Sequence, residues 1–243
     1  MEWFKDLYDQ FRMDTNFGKV SDKDTKADVD FICEVLGLDK DNKVLDLFCG
    51  FGRHSIELAK RGYSATAIDY NRSYLEFGKK LCEGMDNTPN FVQGDVRSIN
   101  YGDNYDAAII MFNSFGYFND NEDKLILGKI YNVLKPKGKF LIEILNRDWI
   151  LKNYKDKQES EFGNIKIIEK REFDILTSRN NFIIERSEEN RIVSKKGSWR
   201  LYSPHEIINV LEGIGFHLVN AYSNLSKDPI SIDTRLMRMI FVK

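Results

Sequence analysis

From residue 43 onward, short apolar runs alternate with amphipathic segments along the chain. The run KVLDLF (Lys43–Phe48) predicts a buried strand, and after a glycine turn the segment Arg53–Arg61 predicts a helix. The alternation continues, with strands expected at Ser64–Asp69, Phe91–Gln93, Asp106–Phe112 and Lys139–Leu145, and helices at Arg72–Met85 and Asn121–Leu134. Because strands that alternate with helices are joined by right-handed crossovers, the pattern predicts an α/β fold with a parallel sheet covered on both faces.

The pattern changes after Asn146. Residues 147–200 contain short runs of β-forming residues separated by polar turns, which predicts an antiparallel β insert. The segment 203–206 (SPHE) then carries the N-cap, first-turn proline and capping box of a helix, and strands at His217–Tyr222 and Arg235–Val242 can form a closing hairpin. We therefore expect three parts, which are a helical cap at 1–42, one domain built from 43–146 and 201–243, and the insert.

The composition fits a globular protein and limits the partners and the cellular compartment that we expect. Over 243 residues the apolar fraction is 42% and the formal net charge is −2. Because nucleic-acid binding needs a concentrated surplus of Lys and Arg, this balance argues against a nucleic-acid partner. No apolar run is long enough to cross a membrane, the N-terminus lacks a secretory signal, and the three scattered cysteines fit a reducing compartment without a zinc site. The sequence thus predicts a cytoplasmic protein with no membrane partner and no metal, as a monomer or a homodimer.

The stretch VLDLFCGFGRHS (Val44–Ser55) carries the clearest chemical signal. A strand runs directly into Gly50-Phe51-Gly52 and then into a helix, so the backbone can approach a ligand closely and offer it the free N–H groups of the helix end. A dinucleotide fingerprint needs a third glycine, but position 55 is serine. This disfavours a pyrophosphate ligand and leaves a nucleoside open.

Polar residues follow the next strands at the same predicted edge of the sheet. Asp69 ends the second strand, 23 residues after Asp46, where a carboxylate can accept hydrogen bonds from ribose hydroxyls. Asp95, with the backbone of Val96, can contact an adenine amino group at the end of the third strand, and Asn113 follows the fourth. Because ligands of such sheets bind outside the carboxyl ends of the strands, these positions predict a nucleoside site.

These motifs resemble those of the class I S-adenosylmethionine-dependent methyltransferases. VLDLFCGFGRHS resembles their first motif, AID (67–69) their ribose-binding acidic loop, GDVR (94–97) their adenine-contacting segment, and LKPKG (134–138) the turn before their fifth strand. The resemblance implies a Rossmann-like seven-stranded sheet, mostly parallel with an antiparallel last strand, and S-adenosylmethionine as cofactor. More narrowly, FNSFGYF, NRDW and RLYSPHE resemble a small-molecule, N-methyltransferase-like branch that carries a β-meander insert.

The resemblance also implies which residues serve the site. The residues expected to bind the cofactor are Asp46, Cys49, Gly50, Gly52, Arg53, Asp69, Tyr70, Asp95, Val96, Met111 and Asn113. An N-terminal helix commonly covers the cofactor in this layout and the insert can act as a lid, so we expect Tyr8, Tyr117, Arg200 and Tyr202 to contact the substrate. Tyr8, Asn113 and Tyr117 are the candidates for a catalytic role.

The expected reaction is in-line transfer of a methyl group to a small-molecule acceptor, and the lack of an evident general base favours an amine nitrogen. Adenine and glutamine N-methyltransferases carry Asn/Asp-Pro-Pro-Tyr/Phe where this chain has NSFG (113–116), and no Pro-Cys pair is present. Residues 147–200 hold 13 Lys and Arg against 10 Asp and Glu, a mild surplus for an RNA-binding appendage. An RNA methyltransferase and a non-catalytic S-adenosylmethionine-binding regulatory protein stay open as alternatives.

Overall fold

The computed structural model describes residues 2–7, 20–188 and 191–243, and a seven-stranded sheet forms its centre. The strands are β1 (Lys43–Leu47), β2 (Ser64–Asp69), β3 (Asn90–Gln93), β4 (Tyr105–Ile110), β5 (Leu134–Leu145), β10 (His217–Tyr222) and β11 (Leu236–Val242). Their order across the sheet is β10-β11-β5-β4-β1-β2-β3. β1 to β5 pair in parallel, whereas β11 pairs antiparallel with both β5 and β10. The expected Rossmann-like sheet is confirmed.

Helices cover both faces of this sheet. The helices of the described residues are α1 (Trp3–Leu7), α2 (Asp22–Leu36), α3 (Arg53–Lys60), α4 (Arg72–Leu81), α5 (Asp120–Val133), α6 (Arg147–Lys152) and α7 (Pro204–Glu212). Because side chains alternate across a strand, Leu45 and Leu47 of β1 join the apolar cluster that contains residues of α5 and α7. Val44 points to the opposite face, where it joins the cluster with residues of α2 and α3.

The insert is a separate four-stranded antiparallel sheet. Its strands, in spatial order, are β6 (Lys157–Phe162), β7 (Ile165–Asp174), β8 (Arg179–Glu188) and β9 (Arg191–Arg200). The sequence pattern indicated only short runs within β7, β8 and β9. β6 (KQESEF) has no apolar alternation because all but its last residue are polar, and its side chains contact β7 through polar pairs such as Glu159 with Lys166 at 2.9 Å.

Several predicted boundaries differ from the structure. β5 begins at Leu134 rather than Lys139, so it includes the LKPKG segment (134–138) that the sequence predicts to be a turn. α4 ends at Leu81, before the predicted Met85, with Cys82 as its C-cap. Within the predicted helical cap at 1–42, residues 8–19, which include Tyr8, lie outside the described residues.

The base of the insert is attached to the loop that follows β4. The backbone N–H of Arg200 donates to the carbonyl oxygen of Gly116 at 2.8 Å, and Nη1 of Arg179 donates to the carbonyl oxygen of Phe118 at 2.9 Å. A Cβ at Gly116 would lie 2.3 Å from the Arg200 carbonyl oxygen, so only glycine allows this close approach. The insert therefore lies at the carboxyl edge of the parallel strands.

Candidate active site

The loop after β1 has a left-handed backbone at three positions. Phe48, Gly50 and Gly52 have φ angles of 57°, 60° and 81°. A Cβ at Gly52 would lie 2.6 Å from the ring of Phe91, so the turn can approach β3 only with glycine there. This tight turn brings Gly50 and the start of α3 to the edge where β2 and β4 also end.

Two adjoining cavities open at this edge. We call the first the Asp69 cavity, and its lining residues are Phe4, Phe48, Gly50, Asp69, Tyr70, Tyr74, Gly94, Asp95, Val96, Ser114, Tyr117 and Phe118. We call the second the Asp46 cavity, and its lining residues are Asp46, Phe48, Cys49, Phe51, Arg53, His54, Met111, Phe112 and Ser114. Phe48 and Ser114 line both, so the two cavities meet at these residues.

Asp69 is held by the backbone of the surrounding loops. Its Oδ2 accepts a hydrogen bond from the N–H of Gly50 at 2.8 Å, and its Oδ1 accepts one from the N–H of Asn71 at 2.8 Å. Burial raises the pKa of Asp69 to about 6, and the backbone N–H donors oppose that rise. The carboxylate thus lines its cavity in a fixed orientation.

Asp95 is oriented by Arg97. Nε and Nη2 of Arg97 donate to the Asp95 carboxylate at 3.0 and 2.6 Å, and these hydrogen bonds lower the pKa of Asp95. Arg97 also pairs with Glu122 at 2.9 Å and with Glu2, just before α1. Phe4 of α1 lines the Asp69 cavity, and its carbonyl oxygen accepts a hydrogen bond from the Tyr70 hydroxyl at 2.9 Å.

Asp46 is almost fully buried in the second cavity. Its Oδ2 accepts a hydrogen bond from the Ser55 hydroxyl at 2.7 Å, and burial raises its pKa to about 7. Arg53 pairs with Asp28 at 2.7 Å, and His54 lies 3.4 Å from the same carboxylate. Burial lowers the pKa of His54 to about 4, so its imidazole is neutral at neutral pH.

Most of the predicted cofactor residues line one of these two cavities. Two of them, Gly52 and Asn113, line neither. Gly52 packs against Phe91, and the carboxamide oxygen of Asn113 accepts a hydrogen bond from the N–H of Leu145 at 2.9 Å. Next to Asn113, Ser114 lines both cavities, although no sequence motif selected it. Phe4, Phe48 and Phe118 were missed as well, because an apolar residue that lines a cavity cannot be told from a core residue in the sequence.

Of the predicted substrate residues, Tyr117 lines the Asp69 cavity and Tyr8 lies outside the described residues. Arg200 and Tyr202 line neither cavity. Arg200 pairs with Glu206 at 2.6 Å and with Asp120 at 3.2 Å, and the Tyr202 hydroxyl donates to Asp123 at 2.9 Å. Both side chains are therefore engaged in the packing at the base of the insert, and their contact with an acceptor stays a prediction.

A groove between α1 and the insert lies beside the Asp69 cavity. Trp3, Phe182, Lys196 and Gly197 are among its lining residues. The ring of Trp3 packs edge-on against Tyr117, with centroids 5.6 Å apart, and against Phe182, with centroids 5.5 Å apart. Trp3 thus separates the groove from the wall of the Asp69 cavity.

Comparisons with known proteins agree with this architecture. Residues 44–138 match the family described as "Methyltransferase domain". The chain is 31% identical to glycine N-methyltransferase of Rattus norvegicus over 124 residues, which is 45% of this chain and 42% of that protein. It is 32% identical to demethylmenaquinone methyltransferase of Renibacterium salmoninarum over 112 residues, or 46% of this chain and 44% of that protein. The chain spans less than half the length of these curated relatives.

Solved structures match over nearly the whole chain. An S-adenosylmethionine-dependent methyltransferase from Clostridium acetobutylicum has a TM-score of 0.81 at 16% identity and 98% coverage of both chains. The CcbJ methyltransferase from Streptomyces caelestis has a TM-score of 0.82 at 18% identity and 95% coverage of both. The sugar N-methyltransferase KedS8 from Streptoalloteichus has a TM-score of 0.67 at 16% identity, covering 97% of this chain and 92% of that one.

Residues 44–138 therefore match the methyltransferase-domain family, and the chain has the fold of S-adenosylmethionine-dependent methyltransferases. In the described ranges, no helix is long and apolar enough to cross a membrane. In the same ranges, no three or more His, Cys, Asp or Glu side chains form a group that could hold a metal ion.

Proposed function

We propose that this chain transfers a methyl group from S-adenosylmethionine to a small-molecule acceptor, at an amine nitrogen. The observation that carries the proposal is the pair of cavities that meet at Phe48 and Ser114 on the carboxyl edge of a methyltransferase domain. S-adenosylmethionine has a nucleoside end and an amino-acid end joined at a sulfonium, and it supplies an electrophilic methyl group. Two joined cavities, each with a buried carboxylate, fit a ligand of this shape and positive charge.

The Asp69 cavity suits the nucleoside end. Asp69 can accept hydrogen bonds from the ribose hydroxyls through the lone pairs that the backbone N–H groups leave available. Asp95 and the backbone of Val96 lie further along the cavity, where they can contact the adenine amino group. The rings of Tyr70 and Phe4 give this cavity aromatic walls.

The Asp46 cavity suits the amino-acid end. Asp46 can hold the ammonium group, and the cost of burying its charge falls when a cation is bound beside it. The turn from Cys49 to Arg53 adds backbone groups at the start of α3, where the helix end favours a negatively charged carboxylate. The aromatic ring of Phe48 lies where the cavities meet and can stabilise the sulfonium by a cation–π contact.

Tyr117, which lines the Asp69 cavity and packs against Trp3, is the candidate contact for the acceptor. A neutral amine needs desolvation and alignment of its lone pair rather than a strong base, and alignment alone can contribute roughly 7–11 kcal/mol. His54 is the histidine among the lining residues, and it is engaged with Asp28. The names of the relatives, which include glycine and sugar N-methyltransferases, support a nitrogen acceptor.

Calorimetry and methyl-transfer assays test this proposal. We expect S-adenosylmethionine and S-adenosylhomocysteine to bind with micromolar affinity, about −8 kcal/mol. Incubation with S-adenosylmethionine and a panel of small amines, including glycine and amino sugars, should give a product heavier by one methylene group in mass spectrometry. Failure to bind either ligand would contradict the proposal, and binding without turnover of any acceptor would favour the non-catalytic alternative.

A further inference from the structure

The turn that follows β4 has an unusual backbone. Phe112 and Asn113 are consecutive non-glycine residues with φ angles of 60° and 56°, in the left-handed region. Asparagine tolerates this conformation better than most residues, whereas a bulky phenylalanine rarely adopts it. Strained residues of this kind persist only where the surrounding contacts hold them, and they cluster at functional sites.

Glu143 of β5 holds both residues of the turn. Its Oε1 accepts a hydrogen bond from the backbone N–H of Phe112 at 2.9 Å, and its main-chain oxygen accepts one from the N–H of Asn113 at 3.1 Å. The parallel pairing of β4 with β5 ends at Ile110 and Ile142. A single residue of β5 therefore continues the hydrogen bonding at the point where the turn leaves the sheet.

Arg238 of β11 fixes the side chain of Glu143. The two residues are direct partners in the register of β5 with β11, and Nη2 of Arg238 lies 2.8 Å from Oε2 of Glu143. Glu143 is only 3% exposed, so its carboxylate depends on this arginine for a charge partner. With Oε2 bound to Arg238, Oε1 is directed to the N–H of Phe112.

The turn forms a wall of the Asp46 cavity. Phe112 and Ser114 line that cavity, and Ser114 also lines the Asp69 cavity. The guanidinium of Arg53 lies 5.3 Å from the centre of the Phe112 ring. A displacement of the turn would therefore change the Asp46 cavity and the junction between the cavities, while the far end of the Asp69 cavity would keep its shape.

We propose that Glu143 is a positioning residue for the methionine end of the cofactor. Together with Arg238 it holds the turn 112–114 in the conformation that shapes the Asp46 cavity, and it acts through Phe112 rather than by touching the ligand. This inference rests on the proposed function, because it needs S-adenosylmethionine to span both cavities.

The substitution Glu143→Gln tests the proposal because a glutamine cannot serve both partners. If its oxygen faces Arg238, its NH₂ group opposes the N–H of Phe112, and if it is reversed, Arg238 loses its acceptor. The double variant Glu143→Gln/Arg238→Gln removes this conflict, since the side chain at 143 can then accept from Phe112 and donate to the carboxamide oxygen at 238.

The readout is calorimetric binding of two ligands that differ at the methionine end. S-adenosylhomocysteine carries the amino-acid group, whereas 5′-methylthioadenosine lacks it. We expect Glu143→Gln to weaken S-adenosylhomocysteine binding at least tenfold and to leave 5′-methylthioadenosine binding within twofold of the wild type. The double variant should recover S-adenosylhomocysteine affinity to within about threefold.

Glu57→Gln is the matched control, because Glu57 is another buried carboxylate with an arginine partner, Arg61 at 2.8 Å, and it lines neither cavity. It should leave both affinities unchanged.

Unchanged S-adenosylhomocysteine binding in Glu143→Gln, or a parallel loss of binding of both ligands, would overturn the proposal. If Glu143→Gln does not unfold cooperatively, Arg238→Met provides the same test, with the same selective loss expected. A wild-type chain that binds neither ligand would instead contradict the proposed function.

Discussion

Two buried carboxylates give the site its chemical character at the scale of single residues. Asp46 and Asp69 end neighbouring parallel strands, and burial raises their pKa values to about 7 and about 6. The charge of Asp69 raises the pKa of Asp46 further. A positively charged ligand between the two would favour their ionised forms, and this is the electrostatic reason why a sulfonium cofactor fits the site.

The first prediction concerns Asp69. Asp69→Ala should weaken S-adenosylhomocysteine binding at least tenfold in calorimetry, because a charge-assisted hydrogen bond contributes roughly 1.5–3 kcal/mol. Asp106→Ala is the control, since Asp106 also accepts from a backbone N–H, that of Lys43 at 2.8 Å, but lines neither cavity. Equal affinities of Asp69→Ala and the wild type would mean that the ribose is held elsewhere.

The second prediction is a pH dependence that Asp46 causes. Between its ordinary pKa of 3.8 and its folded value of about 7, the folded chain binds more protons at Asp46 than the unfolded chain, so this residue lowers stability as the pH rises. Asp46→Asn should therefore gain free energy of unfolding relative to the wild type between pH 4 and pH 8, by up to about 4 kcal/mol. Urea unfolding at several pH values measures this difference, and parallel pH profiles would contradict the assignment.

Sequence reasoning could select candidate residues where their role depends on position along a strand. Asp46, Asp69 and Asp95 could be selected because the carboxyl ends of parallel strands meet at one edge. The acceptor contact of Arg200 and Tyr202 stays a prediction, and the sequence could not indicate their partners Glu206 and Asp123, which become neighbours only through the packing of α7 and α5. The direction of a polar side chain depends on such distant partners, which no local pattern contains.

At the scale of elements, the contact between α1 and β9 closes one side of the site. Gly197 of β9 lies directly under Trp3, and a Cβ there would be 2.4 Å from the Trp3 ring and 2.3 Å from the Phe182 ring. Lys195 adds a hydrogen bond from its Nζ to the carbonyl oxygen of Asp6 at 2.8 Å. Since Phe4 lines the Asp69 cavity, the position of α1 bears on cofactor binding.

The third prediction therefore concerns Gly197→Ala. The added methyl group should displace Trp3, change the tryptophan fluorescence and weaken S-adenosylhomocysteine binding severalfold. Gly128→Ala is the matched control, because Gly128 lies in α5 with nothing near its Cβ position, and alanine should stabilise that helix by about 1 kcal/mol. Unaltered fluorescence and affinity in Gly197→Ala would show that α1 does not help to form the cavity.

Most elements of the central sheet could be predicted because each buried strand is an apolar run between turn signals. The insert was harder to predict, since its strands are long and rich in charge. Ile183 and Ile192 are exposed there, while Phe182 and Ile184 are buried, so apolar residues do not mark one face alone. The strand lengths of the insert follow from cross-strand hydrogen bonds, which the sequence does not reveal.

At the scale of the whole molecule, a rigid sheet presents the carboxylates, and the insert and α1 surround the same edge. The insert is anchored at Gly116 and Phe118, within the loop that also provides Ser114 and Tyr117 to the cavities. The role of the insert as a lid that excludes water during the proposed methyl transfer stays a prediction. The division of the chain at residues 42, 146 and 200 stays a prediction, which limited proteolysis of the folded protein can examine.

A crystal structure of the chain with S-adenosylhomocysteine tests the central claim most directly. We predict that the adenosine group lies in the Asp69 cavity with its ribose hydroxyls on Asp69, that the sulfur lies between Phe48 and Ser114, and that the amino-acid group lies in the Asp46 cavity. A ligand bound away from this edge, or one whose adenine occupies the Asp46 cavity, would contradict the account.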